Sequence, residues 1–266
     1  MDVEMPKLTP EQLSVRVDSA IDYIEKLQLP PPPLRSERGL LSAAPSEKTP
    51  CAIINDKQVI CFEKGFPPQL RDDVLNSTLF AQLAATKLYP DDASAWYKMY
   101  EEVLKKIGWA VQESSFSDYT IKGDMLEVDK ALIEVLEGLL LPSNQIKAIV
   151  TAAMESLTQL KSKDPAKFNL FRRNALSNGQ GGFGMGACTE VDGIAYTSLG
   201  AFHLYSEVKT DDYLWFHYHT KKSRVFKATS NMILNPQIYN DLIRDAVLKK
   251  LKEAAEEYVT NLDIDI

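Results

Sequence analysis

Residues 178–197 read NGQGGFGMGACTEVDGIAYT, and this stretch decides the fold class. Val191-Asp192-Gly193-Ile194 is a two-residue hairpin signal, because Asp-Gly readily adopts the positive φ angles of a turn that matches strand twist. The flanking residues are β-branched, aromatic or glycine, so the chain should fold back on itself as paired strands. With Asp192 and Gly193 as the turn, Cys188 stands opposite Thr197. Five of the twelve glycines lie between Asn178 and Cys188. Glycine removes the side chain that keeps a ligand or a neighbouring backbone at a distance, so Gly182, Gly184 and Gly186 are candidate ligand-lining positions. A phosphate-loop reading fails, because no Lys-Ser/Thr ending follows the glycines.

All three histidines, His203, His217 and His219, follow within about thirty residues of Cys188. Treating 200–208 and 213–220 as neighbouring antiparallel strands around a turn at 209–212, the register that keeps apolar residues together sets Phe202 against Tyr218 and Leu204 against Phe216. His203 then faces His217, and His219 shares their side of the sheet. Three readings stay open for this face. A histidine could activate Cys188 as a thiolate nucleophile toward an acyl group, with glycine N–H groups holding the oxyanion; Cys188, His203 and His217 are then catalytic and His219 lines the ligand. A transition-metal site is a poorer match, since H-x-H with one remote histidine, and no CxxC or HExxH, is not a zinc pattern. In the third reading the histidines form a polar sheet face and Cys188 is a small buried hydrophobe.

Upstream, Thr9-Pro10-Glu11-Gln12 is a helix start, and Leu13, Val17, Ile21, Ile24 and Leu27 form its apolar stripe, giving a helix over 9–28. Pro30–Pro33 ends it, and 30–50 reads as a linker. Residues 51–62, CAIINDKQVICF, read as a hairpin with a three-residue loop at 55–57 that sets Cys51 opposite Cys61 on one face. Helices should follow Pro67-Pro68 and a cap at Asp92 or Ser94, a strand should run over 109–121, and two more helices should cover 126–141 and 143–160. A final helix should start at Asn235-Pro236. The expectation is one α+β domain over 1–266, with 51–180 as a hairpin plus helical part and 181–266 as an antiparallel meander with its C-terminal helix. Antiparallel sheet is surrounded by about six to seven α-helices.

With 266 residues and 45% hydrophobic composition the chain can bury a sizeable core. A formal charge of −7, a pI near 5.2 and the absence of a basic block argue against nucleic acid as a partner. The start MDVEMPKL has neither a basic n-region nor an apolar h-region, and no long apolar window follows, so the chain is expected to be cytoplasmic as synthesised, with no signal peptide or transmembrane helix. Three cysteines are too few for a disulfide scaffold.

In chain length, in helices around antiparallel strands, and in a cysteine about two-thirds along, here Cys188 in GMGAC, the sequence resembles the Evf family of bacterial virulence factors. The resemblance implies that Cys188 carries a palmitoyl group as a buried thioester, and that this lipid mediates membrane association. No cofactor is expected beyond that covalently held fatty acid. The implied partners are a fatty acyl chain and, through it, a membrane surface. The same thioester could instead be an acyl-transfer or thioesterase-like intermediate. A non-catalytic module that binds a ligand or partner is the alternative from a different class.

Overall fold

The computed structural model describes residues 8–30, 51–119, 125–127, 176–177, 180–206, 217–219 and 223–261, with two isolated helical positions at 151 and 162. Four helices occur among them, and the linker read over 30–50 and most of the two helices read over 126–160 lie outside the described residues. Helix α1 (Pro10–Lys26) starts as its sequence dictates. Thr9 and Gln12 form a reciprocal capping box, and Val17, Ala20 and Ile24 face the core. Helix α2 (Pro68–Leu88) opens on proline, and the Asp92 side chain caps α3 (Ala93–Lys106) through the N–H of Ala95. The C-terminal helix α4 (Asp241–Asn261) begins five residues later than its Asn-Pro signal indicates. Asn235 instead caps a tight turn through the N–H groups of Gln237 and Ile238, and Asn240 caps the helix through Leu242 and Ile243.

The strands are β1 (Cys51–Asn55), β2 (Gln58–Phe62), β3 (Trp109–Asp118), β4 (Met125–Glu127), β5 (Leu176–Ser177), β6 (Gln180–Val191), β7 (Ile194–Ser206), β8 (His217–His219) and β9 (Ser223–Leu234). One seven-stranded sheet runs in the order β1-β2-β6-β7-β9-β3, with β5 beside β6, and β4 pairs β8 in a separate two-stranded sheet. The fold class is α+β, but the main sheet is mixed. Strand β2 runs parallel to β6, so the 51–62 hairpin enters the sheet through a long crossover and does not extend a meander.

The β6–β7 hairpin has the expected register. Cys188 pairs Thr197, and Asp192 and Gly193 both take positive φ. Two other registers differ from the sequence reading. The β1–β2 loop has two residues, not three, with Asp56 in the left-handed region, so Cys51 pairs Phe62 and Cys61 pairs Ala52. Side chains alternate along a strand, and the one-residue change sends Cys51 and Cys61 to opposite faces. Strand β7 takes β9 as its second neighbour over twelve residue pairs, from Ala195↔Leu234 to Ser206↔Ser223. A ladder of that length satisfies far more backbone than pairing with the short 213–220 segment could, and β8 pairs β4 instead.

The four helices cover one face of the sheet. There Ile60, Phe62, Cys188, Leu199, Met232 and Leu234 meet Ile24, Phe80, Leu83, Leu104, Ile243 and Val247 in one apolar core. Two polar features tie helices to this core. Arg244 of α4 grips buried Asp73 of α2 with two hydrogen bonds of 2.6 and 2.9 Å. The turn end of the β1–β2 hairpin is received by α2: Asn55 donates to the Thr78 hydroxyl and to the Leu75 carbonyl, while Gln82 donates to the Asn55 carbonyl and accepts from the Lys57 N–H. The polar positions Thr78 and Gln82 are therefore buried because a hairpin end needs partners there.

Candidate functional site

Cys188 sits in the middle of the sheet, in a register row that reads Cys51, Phe62, Cys188, Thr197, Met232 and Val111 across six strands. It is fully buried on the helix-covered side, and its Sγ lies 3.2 Å from the Thr197 Oγ1. Its carbonyl accepts the N–H of Glu63, which fixes the end of β2 against β6. Burial pushes the thiol pKa up to about 12, the Thr197 hydrogen bond only partly offsetting it, so the sulfur is a neutral thiol at pH 7. Thiolate chemistry needs the opposite environment, an accessible sulfur beside a cation or a base.

The base is not at hand. His203 pairs Gly182, six residues along β6 from Cys188, which at strand rise places it about 20 Å away on the same face. The face shared by His203 and His217 does not form, because β7 lies between β6 and β9. His203 stands opposite Phe226, while His217 pairs Glu127 and His219 pairs Met125 in the small sheet. The strand assignments thus separate the three histidines into two sheets. Burial lowers the His203 pKa to about 4, with Lys57 adding to the effect and Asp92 opposing it, so this imidazole is neutral at pH 7.

The glycine run is used for packing against β2 and β7. A Cβ on Gly186 would lie 3.0 Å from the Ile60 Cδ1, and one on Gly184 would lie 3.0 Å from the Gln58 Cγ and 3.4 Å from the Ala201 Cβ. One on Gly182 would meet a single described atom, the His203 Nδ1, at 3.5 Å. The groups that come close to these glycines are side chains of the neighbouring strands.

The three thiols do not pair. Cys51 and Cys188 share a face but are two strands apart, about 10 Å between Cα atoms, beyond disulfide reach. Cys61 faces the other way, and all three are free and buried. Among the described residues no three His, Cys, Asp or Glu side chains gather as a metal site requires, and no described helix is long and apolar enough to cross a membrane.

One polar group that sequence reasoning passed over is Gln58. It is only 2% exposed; its Oε1 accepts the Tyr100 hydroxyl at 3.3 Å, and its Nε2 has no partner among the described residues. A two-residue loop at Asp56 and Lys57, in place of the three-residue loop read from the sequence, pairs Asn55 with Gln58 and so places two amides side by side at the hairpin end.

No protein-family model matches the chain, and no curated protein matches it in sequence. Solved structures match it weakly in fold. A delta-endotoxin has a TM-score of 0.38 and 11% identity, covering 76% of this chain and 88% of that one. The activated Cyt2Ba monomer from Bacillus thuringiensis subsp. israelensis has a TM-score of 0.37 and 12% identity, covering 68% of this chain and 98% of its own. The Evf virulence factor has a TM-score of 0.35 and 13% identity, covering 91% of this chain and 89% of that one. Evf, the family that the sequence resembles, is thus among these weak matches in fold.

Proposed function

We propose that this is a non-enzymatic protein that acts by associating with other molecules, and that Cys188 is a protonated side chain of the core, not a nucleophile. The observation that carries this reading is the environment of the sulfur. It is enclosed among apolar residues, hydrogen-bonded only to Thr197, and His203 sits about 20 Å along the sheet. Nothing in that shell generates a thiolate or receives its proton, so acyl transfer through Cys188 lacks a first step. The test is a turnover assay with a long-chain acyl thioester as donor and amines, thiols and water as acceptors. No acyl transfer above the rate of the Cys188→Ala protein is expected, and multiple turnovers lost in that variant would overturn the reading.

A second reading keeps a membrane-associating, virulence-type role with a fatty acyl chain on Cys188. It is favoured by the direction of the sulfur, which faces the apolar layer under the helices, where each buried CH2 of an acyl chain would gain about 0.8 kcal/mol. In this form the lipid is an anchor, indifferent to the histidines. Intact mass after native expression, before and after neutral hydroxylamine, separates the two readings. A hydroxylamine-labile acyl mass supports the anchor, and an unmodified mass leaves Cys188 as core.

A further inference from the structure

The main sheet ends on two edge strands, β1 and β3, which differ in exposure. Strand β1 is buried, and its turn end is received by α2. Strand β3 is ten residues long, with Gln112 to Ser115, Ser117 and Asp118 exposed, and β9 is its one neighbour among the described residues. At the two ends of the β3–β9 ladder the Asn235 N–H donates to the Gly108 carbonyl and the Tyr119 N–H to the Val225 carbonyl, so the odd-numbered residues of β9 bond to β3 throughout. Their partners beyond the bulge at Gln112 are Glu113, Ser115 and Ser117, and the N–H and C=O groups of Ser114 and Phe116 therefore point outward from the sheet. Natural sheets blunt such an edge with lysine, proline or a bulge. Residues 109–118, WAVQESSFSD, hold neither lysine nor proline, and the bulge leaves six regular pairs beyond it, Glu113↔Asn231 to Asp118↔Phe226. The Phe116 ring stacks on Phe226 at 5.4 Å and packs against Tyr97 of α3 at 5.7 Å, which fixes the edge before a partner arrives.

We propose that β3 pairs edge to edge with β3 of a second copy of this chain, antiparallel about a two-fold axis at Ser115, which joins the two sheets into one. Ser114 then exchanges two hydrogen bonds with Phe116 of the second copy, and Phe116 does the same with Ser114 of that copy, so the outward groups satisfy one another. The register is also complementary in charge. Glu113 falls opposite Ser117 of the second copy, and Ser117 pairs Lys227 within its own sheet. Across the junction one row on one face therefore reads Asn231, Glu113, Ser117, Lys227. The two charged residues stand two strands apart, about 10 Å between Cα atoms, with a serine between them, a span that a glutamate and a lysine side chain cover together. Symmetry makes the contact twice. Asp118 falls opposite Gln112, so no carboxylate meets another. A basic peptide could answer the carboxylates but would leave Lys227 facing a like charge, which favours the second copy as occupant. The junction is short, so the dimer is weak and concentration-dependent. It does not rest on the role proposed for Cys188.

The experiment follows the full-length protein by sedimentation velocity from micromolar to near-millimolar concentration, with amide hydrogen exchange read residue by residue across the same range. A monomer–dimer equilibrium is expected, with exchange at Ser114 and Phe116 slowing as the dimer fills while Ser115, already bonded to β9, changes less. Ser114→Pro removes an outward N–H and spares the β9 ladder; it should weaken the dimer about tenfold or more, two hydrogen bonds being lost per dimer. Glu113→Lys and Lys227→Glu should each weaken it about fivefold, and Glu113→Lys/Lys227→Glu together should restore it. Neither charge lies in the core, so these variants test the pairing even where Ser114→Pro does not fold. The proposal is overturned by a protein that stays monomeric throughout, by a dimer in which Ser114 and Phe116 exchange as fast as in the monomer, or by a dimer indifferent to both charge reversals. Protection of those two amides by an oligolysine peptide, in a protein that stays monomeric, also overturns self-pairing and assigns the edge to a basic strand.

Discussion

Replacing Cys188 separates a packing role from a chemical one, because its environment fixes what each substitution should cost. The side chain is fully buried, and its one hydrogen-bond partner, Thr197, is itself 2% exposed. Cys188→Ala removes a single heavy atom from the core, a transfer and cavity loss of about 1 kcal/mol. It also strands the Thr197 hydroxyl, which adds about 1 kcal/mol or more. The single variant should therefore lose roughly 2–3 kcal/mol. In Cys188→Ala/Thr197→Val both polar partners are gone and the threonine shape is kept, so the double variant should be more stable than the sum of the singles by about 1 kcal/mol. Cys188→Ser keeps a hydroxyl in reach of Thr197 and should lose less than Cys188→Ala. Urea unfolding of the four proteins, with midpoints compared at constant slope, measures the cycle. Strict additivity would refute the Cys188–Thr197 interaction. A thiol reagent adds a second check, since all three cysteines are buried and should label only as fast as the protein opens.

The pH dependence carries two opposing contributions. The His203 pKa is lowered to about 4 from 6.5, so the unfolded chain binds its proton first and stability falls as pH drops from 6.5 toward 4. The Asp56 pKa is raised by burial to about 6 from 3.8, so the folded chain takes up that proton first and stability rises as pH drops from 6 toward 3.8. Asp56→Asn, tolerated at a left-handed position, should therefore lose more stability than the parent between pH 6 and 4, and His203→Gln should lose less; urea midpoints across that window check both. Arg244→Ala leaves buried Asp73 without its bidentate partner and should destabilise by about 3–5 kcal/mol, with Asp73→Asn/Arg244→Ala recovering part of the loss in thermal unfolding. Gly186→Ala sets a methyl 3.0 Å from the Ile60 Cδ1 and should cost about 1 kcal/mol, relieved by Ile60→Val in the double variant.

Local signals carried the elements, and competition between distant partners decided what they did not. Thr9 with Gln12, the prolines at 67 and 68, Asp92, and Asp192-Gly193 each stop or start an element by chemistry confined to a few residues, and each does so in the fold. The β6–β7 register followed from its turn alone. Asn235-Pro236 misled because an asparagine can cap a turn as well as a helix, and Asn240 was available five residues on. The β1–β2 register turned on whether Asn55 belongs to the loop or to the ladder. Its partners Leu75 and Thr78 lie on α2, 20 and 23 residues along the chain, so no window around the hairpin contains the answer.

The histidine face failed for a reason of the same kind. Matching apolar residues across a nearby turn selects a register only if the two strands are neighbours, and adjacency in sequence is a tendency, not a rule. Here β9 offers β7 twelve partners, and Phe226 takes the place opposite His203 that His217 was expected to fill. The glycine run, in contrast, packs against side chains that no local window of sequence contains. Its occupants, Gln58 and Ile60, come from a strand that pairs in parallel after a crossover of more than one hundred residues, the longest-range contact in the sheet. That distance explains why the chemistry seemed to centre on Cys188. The sequence shows a thiol beside glycines and histidines downstream, whereas the fold puts apolar residues around the thiol and brings an amide, an imidazole and an ammonium group toward the other end of the glycines.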